Sequence, residues 1–242
     1  MSFGRGYGLG RRALLGVVAA LVVGPQSARA GETPLKIGII GAGHIGGTVG
    51  KLWVAAGHPV MFSARHLEEA KSVASALGPR ASAGTVAEAI AFGDVVFLAV
   101  PYKAVPEIAN EYGAALKGKI LIDADNAIPG RDGALVDEVE RDGIGAVSAR
   151  YFPGARLVRA FNTLNYAILA REANRAPPRL AIPIAGDDKA ALAVAAGLVR
   201  DAGFDPVIVG DLAQARRFQR GAPGYGQNVN AHELRQTLNL AP

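Results

Sequence analysis

The chain has 242 residues, half of them hydrophobic, no cysteine, and a formal net charge of +5. Without cysteine, disulfides, thiolate metal sites and a cysteine nucleophile are excluded. Four of its 26 basic residues and none of its 21 acidic ones fall in the first thirty positions. The rest carries 22 basic and 21 acidic side chains and lacks the basic excess by which a nucleic-acid binder recognises phosphate, so no nucleic-acid partner is expected.

The first thirty residues have the order of a targeting segment. Arg5, Arg11 and Arg12 come first, the apolar run Ala13 to Gly24 follows, and Ala28-Arg29-Ala30 stands ahead of Gly31. Charged, apolar, then small is the layout of a secretory signal. Arg11-Arg12 before Ala13-Leu14-Leu15 resembles the twin-arginine class, read by a transporter of folded proteins. The apolar run of twelve residues is short of the roughly twenty that span a bilayer. The expectation is therefore a signal peptide over 1–30, export to a bacterial periplasm, and no stable membrane span after cleavage. Residues 31–220 are expected to form one domain and 221–242, polar and glycine-rich, a loop or partner-contacting tail.

Strand and helix patterns alternate from residue 35 onward, which predicts a parallel sheet with crossover helices. Leu35 to Ile40 is a β-branched run, Ile45 to Ala56 a helix, Pro59 to Phe62 a strand and His66 to Leu77 its helix. A short helix over Thr85 to Ala91 precedes Asp94 to Val100, whose unbroken apolar run suits a strand covered on both faces. Val105 to Leu116 reads as helix, Lys119 to Ile122 as strand, Leu135 to Glu140 as helix and Arg156 to Ala160 as strand. Leu180 to Ala185 and Val207 to Val209 are the last strands, with the alanine-rich helix Lys189 to Ala202 between them.

Ile37-Gly38-Ile39-Ile40-Gly41-Ala42-Gly43-His44-Ile45-Gly46 joins the first strand to the first helix. In this pattern Gly41 allows the turn off the strand, Gly43 lets backbone approach a pyrophosphate, and Gly46 lets helix pack on sheet. The helix's free N–H groups and positive end then face the phosphates. A tight turn without a ligand is the plainer alternative. The fold class this predicts is α/β: a Rossmann-type, doubly wound, mainly parallel sheet with a C-terminal βαβ extension.

The end of the second strand selects between nicotinamide cofactors. An NAD-binding unit places an Asp or Glu there, about twenty residues on, for the ribose hydroxyls. This chain has Phe62-Ser63-Ala64-Arg65-His66 and no carboxylate before Glu68. A serine hydroxyl and a guanidinium fork suit a ribose 2′-phosphate, so NADP(H) is the expected cofactor, although Arg65 also reads as an ordinary solvated residue at a helix start. Ligands of open α/β sheets lie beyond the carboxyl ends of the strands. Val100, Pro101 and Tyr102 are accordingly expected along the ribose and nicotinamide path, with Asp123-Ala124-Asp125-Asn126 and Asn162-Thr163 beyond the next two strands. Tyr102 could equally be a surface aromatic, and the Asn, Asp and Thr side chains ordinary caps and turn formers. His44 reads as a loop-packing group; His58, His66 and His232 show no metal-ligand spacing.

Gly41-Ala42-Gly43-His44-Ile45-Gly46, Ser63-Ala64-Arg65, Ala99-Val100-Pro101 and Val158-Arg159-Ala160-Phe161-Asn162-Thr163 together resemble the NADPH-dependent deazaflavin (coenzyme F-420) reductase family. That family is similar, in its nucleotide-binding half, to pyrroline-5-carboxylate reductase and to the reductase domain of six-transmembrane metalloreductases. The resemblance runs from about Leu35 to Val209. It implies that Gly41, Gly43, His44, Ile45, Gly46, Ser63 and Arg65 hold the dinucleotide, and that Asn126, Asn162 and Thr163 lie on the acceptor side. It also implies hydride transfer between NADP(H) and a flavin- or deazaflavin-like second substrate, a small-molecule electron acceptor, with homodimerisation left open. Such transfer needs ring-to-ring contact and no strong general acid, which suits a sequence without an evident catalytic constellation. The export signal departs from the family. A non-catalytic NADP-binding sensor or partner subunit is the alternative, as is an imine reductase related to pyrroline-5-carboxylate reductase, which the family's long helical dimerisation segment, not visible here, makes the weaker of the two.

Overall fold

The computed structural model describes residues 1–4 and 34–241. From residue 5 the expected signal peptide lies outside the described residues, and the unit Pro34–Pro242 is treated by itself. Its strands are β1 (Ile37–Ile40), β2 (Val60–Ser63), β3 (Ala81–Ala83), β4 (Val95–Leu98), β5 (Ile120–Asp123), β6 (Arg156–Arg159), β7 (Ala181–Gly186) and β8 (Asp205–Gly210). They form one sheet in the order β3-β2-β1-β4-β5-β6-β7-β8. The strands from β3 to β6 run parallel. At β6 the direction reverses: β7 pairs antiparallel through Val158–Gly186 and Arg159–Ala185, and β8 runs parallel to β7. The expected βαβ extension is therefore present, built upside down relative to the nucleotide-binding half.

The helices divide between the faces. α1 (His44–Ala55), α2 (Leu67–Ser75), α7 (Tyr166–Glu172) and α8 (Lys189–Asp201) share a core with Ile37, Ile39, Val95, Phe97 and Val158. The opposite core takes α3 (Val86–Phe92), α4 (Val105–Leu116), α5 (Leu135–Asp142), α6 (Ile144–Tyr151) and α9 (Ala231–Thr237) against Ile40, Val96, Leu98 and Leu121. β4 is buried along its whole length, as expected of a strand covered on both sides. In the first core Trp53 meets Phe97 and Phe161 edge to face, with centroids 5.0 and 5.7 Å away, and its indole N–H donates to the Leu198 carbonyl at 2.8 Å.

Local chemistry sets the boundaries. Thr85 and Glu88 close a capping box on α3. Asp188 accepts from the N–H groups of Ala190 and Ala191 to start α8 and takes the Arg156 Nε at 2.6 Å, tying the reversed unit to the start of β6. The Arg156 guanidinium and those N–H groups hold the Asp188 carboxyl well below the usual carboxylate range. The segment expected to be a loop or partner-contacting tail carries α9 instead: Asn230 and Glu233 form a second capping box, and Leu234 and Leu238 are buried.

Candidate functional site

The glycine loop stands at the carboxyl end of β1. Gly41 has φ +102°, and the N–H groups of Gly41 and Ala42 both donate to the Ser63 carbonyl at 2.9 Å, so the end of β2 holds the loop from beneath. α1 starts at His44 with Gly43 as N-cap and no side chain capping it. Its first intrahelical bond runs from Gly47 N–H to Gly43 carbonyl at 2.7 Å, which leaves the N–H groups of His44, Ile45 and Gly46 as the donors of the helix end. A Cβ on Gly46 would collide with the Gly41 carbonyl, whereas one on Gly43 would meet nothing within 4 Å. Gly46 is thus required by packing. Gly43 leaves open space in front of an electropositive helix end, and this cradle fits a pyrophosphate.

Arg65 and His66 are exposed past β2, consistent with a reach toward a 2′-phosphate. Ser63 is not available for that role: it is fully buried, and its hydroxyl donates to the Ile39 carbonyl at 2.7 Å. As the last residue of β2 it points back into the sheet and stitches two strands. Tyr102 is corrected in the same way. Its ring is fully buried in the α3–α6 core and its hydroxyl pairs with Ser148 Oγ at 3.1 Å, so it lines no ligand path. Burial, with Asp123 nearby, pushes its phenol well above the ordinary range. Pro101 is exposed and Val100 half-buried at the end of β4.

Beyond β5 and β6 the chain builds a wall. Asn126 Nδ2 donates to the Asn162 carbonyl at 2.7 Å, and Asn162 Nδ2 donates to the Phe218 carbonyl at 3.2 Å. The Thr163 carbonyl accepts from Gly226 N–H at 3.0 Å. Asn162 and Thr163 are buried, and the segment after β8 is fastened over them. The turn that delivers them strains Phe161, at φ +62°, a conformation costing about 1–3 kcal/mol in a residue with a side chain. Its ring offsets that by packing among Trp53, Phe97 and Phe204.

Under this wall lies a buried charge cluster. Arg159 and Asp123, both fully buried, form an ion pair, and Arg159 Nη2 also donates to the Asp125 carbonyl. Asp125 is 2% exposed; its Oδ1 accepts from Val100 N–H at 2.7 Å while its Oδ2 has no hydrogen-bond partner. Burial, and then the Asp123 charge, push the Asp125 carboxyl well above the usual range. The signal was present in the sequence: an arginine inside a buried strand must find an acid, and Asp123 ends the neighbouring strand. Asp132 completes the loop after β5, accepting from the N–H groups of Lys103 and Ile128 and from Arg131. Burial alone would raise its carboxyl, but the Arg131 fork and the two N–H groups outweigh it and hold the group low.

A cavity of about 390 Å³ between α4 and α6 is lined by Asn110, Lys117, Arg150 and Tyr151 and includes none of the expected site residues. Among the described residues no three His, Asp or Glu side chains gather as a metal site requires, and no helix is long and apolar enough to cross a membrane.

A mainly parallel sheet, a glycine loop opening on an uncapped helix, and a β2 end without a carboxylate define a Rossmann-type dinucleotide-binding fold. Residues 36–127 match the family described as NADP oxidoreductase, coenzyme F420-dependent. It is 29% identical over 194 residues to metalloreductase STEAP3 of Rattus norvegicus, a match covering 78% of this chain and 36% of that protein. Among solved structures, hypothetical protein SMa0349 from Sinorhizobium meliloti is 31% identical, with 82% of this chain and 96% of that one covered at a TM-score of 0.72. A candidate F420-dependent NADP-reductase from Arthrobacter sp. FB24 is 25% identical, with 75% and 87% covered at 0.65.

Proposed function

We propose that the protein is an NADPH-dependent reductase that passes hydride to a flat, flavin- or deazaflavin-like acceptor, after export by the twin-arginine route. The observation that carries the cofactor preference is the end of β2, where an exposed Arg65 stands in place of a carboxylate beside the open cradle at Gly43. Arginine's planar fork matches phosphate oxygens. The N–H groups of His44, Ile45 and Gly46 are the donors offered to a pyrophosphate. Ser63 acts through its carbonyl, keeping the loop in register. Bound NADPH supplies the hydride. Asp125 fixes Val100 at the end of β4, and the Asn126–Asn162 pair fixes the segments beyond β5 and β6, so these strand ends are held in place before ligand arrives. Rigid positioning is what direct hydride transfer asks of a protein.

The family match over residues 36–127 supports the reductase reading, and the name of the rat relative widens the acceptors worth trying. Stopped-flow oxidation of NADPH by the protein lacking residues 1–30, with FMN, a 5-deazaflavin and a ferric chelate offered in turn, is the test. Turnover with a flavin or deazaflavin is expected. Tight NADPH binding without turnover on any acceptor would favour a sensor or partner subunit. For export, Arg11→Lys with Arg12→Lys should retain the full-length protein in the cytoplasm; unchanged export would count against the twin-arginine route.

A further inference from the structure

Tyr166 is the one Phe, Tyr or Trp side chain exposed among residues 34–241. It opens α7, four positions past Asn162, and its backbone is held by Asn165, whose side chain accepts from Ala167 N–H at 2.8 Å and whose carbonyl accepts from Ile168 N–H at 3.0 Å. His44, also exposed, opens α1 at the tip of the glycine loop. The two rings stack with centroids 4.2 Å apart and planes 10° from parallel. The other aromatic pairs of the described residues meet edge to face, at 71–90°. Those pairs fill the core between helices and sheet; the parallel pair stands outside it, joining the phosphate loop to the helix that follows the acceptor-side wall.

We propose that the His44–Tyr166 stack is a shelf for a flat conjugated heterocycle at the hydride-transfer end of the site. This rests on the reductase reading above and adds two residues to it. A parallel stack at the surface presents planar faces, and a conjugated ring laid on one gains aromatic contact without breaking any existing hydrogen bond. The shelf is preformed, because each ring is set at the first position of a helix and α1 packs on α7, so little freedom is lost when a ligand lands. A hydrated metal chelate has no flat face to offer it. Two rings share the required chemistry: the nicotinamide of the dinucleotide and the ring of its acceptor.

Tyr166→Ala and Tyr166→Phe, made in the otherwise intact chain, separate these sources by equilibrium binding. The probes are NADP⁺, 2′-phospho-ADP-ribose, which carries the phosphates without nicotinamide, and FMN followed by its own fluorescence. The alanine variant should bind NADP⁺ or FMN about three- to tenfold more weakly and 2′-phospho-ADP-ribose as the wild type does, while the phenylalanine variant keeps wild-type affinities. A loss confined to NADP⁺ places nicotinamide on the shelf; a loss confined to FMN places the acceptor there. Unchanged NADP⁺ and FMN affinities in the alanine variant, or an equal loss for 2′-phospho-ADP-ribose, would overturn the proposal. Wild-type protein that binds these ligands but oxidises NADPH with no acceptor would sink the reductase reading and leave the shelf standing; wild-type protein that binds neither NADP⁺ nor FMN would sink both.

Discussion

The two halves of the candidate site are built on opposite principles. Around β1 and β2 the functional groups are open: Gly43 faces empty space, the first N–H groups of α1 have no cap, and Arg65 is exposed. Around β5 and β6 they are closed: Asp123, Asp125, Arg159 and Asn162 are buried, and Phe218 and Gly226 lock the wall from the far end of the chain. The open end is completed by whatever it binds. The closed end is finished in advance, its polar groups matched within the chain. Substitutions should therefore separate cleanly, with ligand affinity lost at one end and stability at the other.

The largest expected effect is at the closed end. Arg159→Met leaves the buried Asp123 carboxylate without its counter-charge and should destabilise the protein by about 3–5 kcal/mol in denaturant unfolding, whereas Arg65→Met should shift stability by no more than about 0.5 kcal/mol. Similar losses for both would erase the contrast. Next come two glycines of one motif. Gly46→Ala drives a Cβ into the Gly41 carbonyl and should lower both stability, by about 1–3 kcal/mol, and NADPH affinity. Gly43→Ala meets open space in the free protein, so its melting temperature should stay at the wild-type value while NADPH affinity falls; a stability loss at Gly43 would mean that the cradle is a packing feature.

The smallest effect concerns Asp125. Its carboxyl is raised in the folded protein by burial and then by Asp123, from about 3.9 in an unfolded chain. An acid with a raised folded value gives stability that is complete below the unfolded value and is lost as pH rises through the folded one. Asp125→Asn keeps an oxygen for Val100 N–H and removes the titration. Its melting temperature should gain on the wild type as pH climbs from about 4 toward neutrality; a constant difference across that range would refute an uncharged Asp125.

The open end was legible because glycine constraints are local: Gly41, Gly43 and Gly46 declare a turn, an approach and a contact within six positions. α4 was equally plain, with Val105–Leu116 matching its apolar spacing. Ser63 and Tyr102 show where residue type alone falls short. Both have suitable chemistry at strand ends, yet strand parity turns Ser63 into the sheet and the turn at Pro101 turns Tyr102 into the core. The closed end was least legible, since Arg159 meets Asp123 only across a β5–β6 register that no local pattern states. β3 has only three residues, and α6 and α7 are short and take their shape from tertiary packing. For α9 the sign was there, an Asn three residues before a Glu and leucines four apart at Leu234 and Leu238.

The measurement that bears most directly on the central claim is a paired titration of wild type and Arg65→Glu with NADPH and NADH, followed by energy transfer from Trp53 to the reduced nicotinamide. The account predicts that the wild type binds NADPH at least about tenfold more tightly, the scale of a charge-assisted phosphate contact, and that the variant loses this preference while its NADH affinity changes little. Equal wild-type affinities, or an equal loss for both cofactors in the variant, would contradict it.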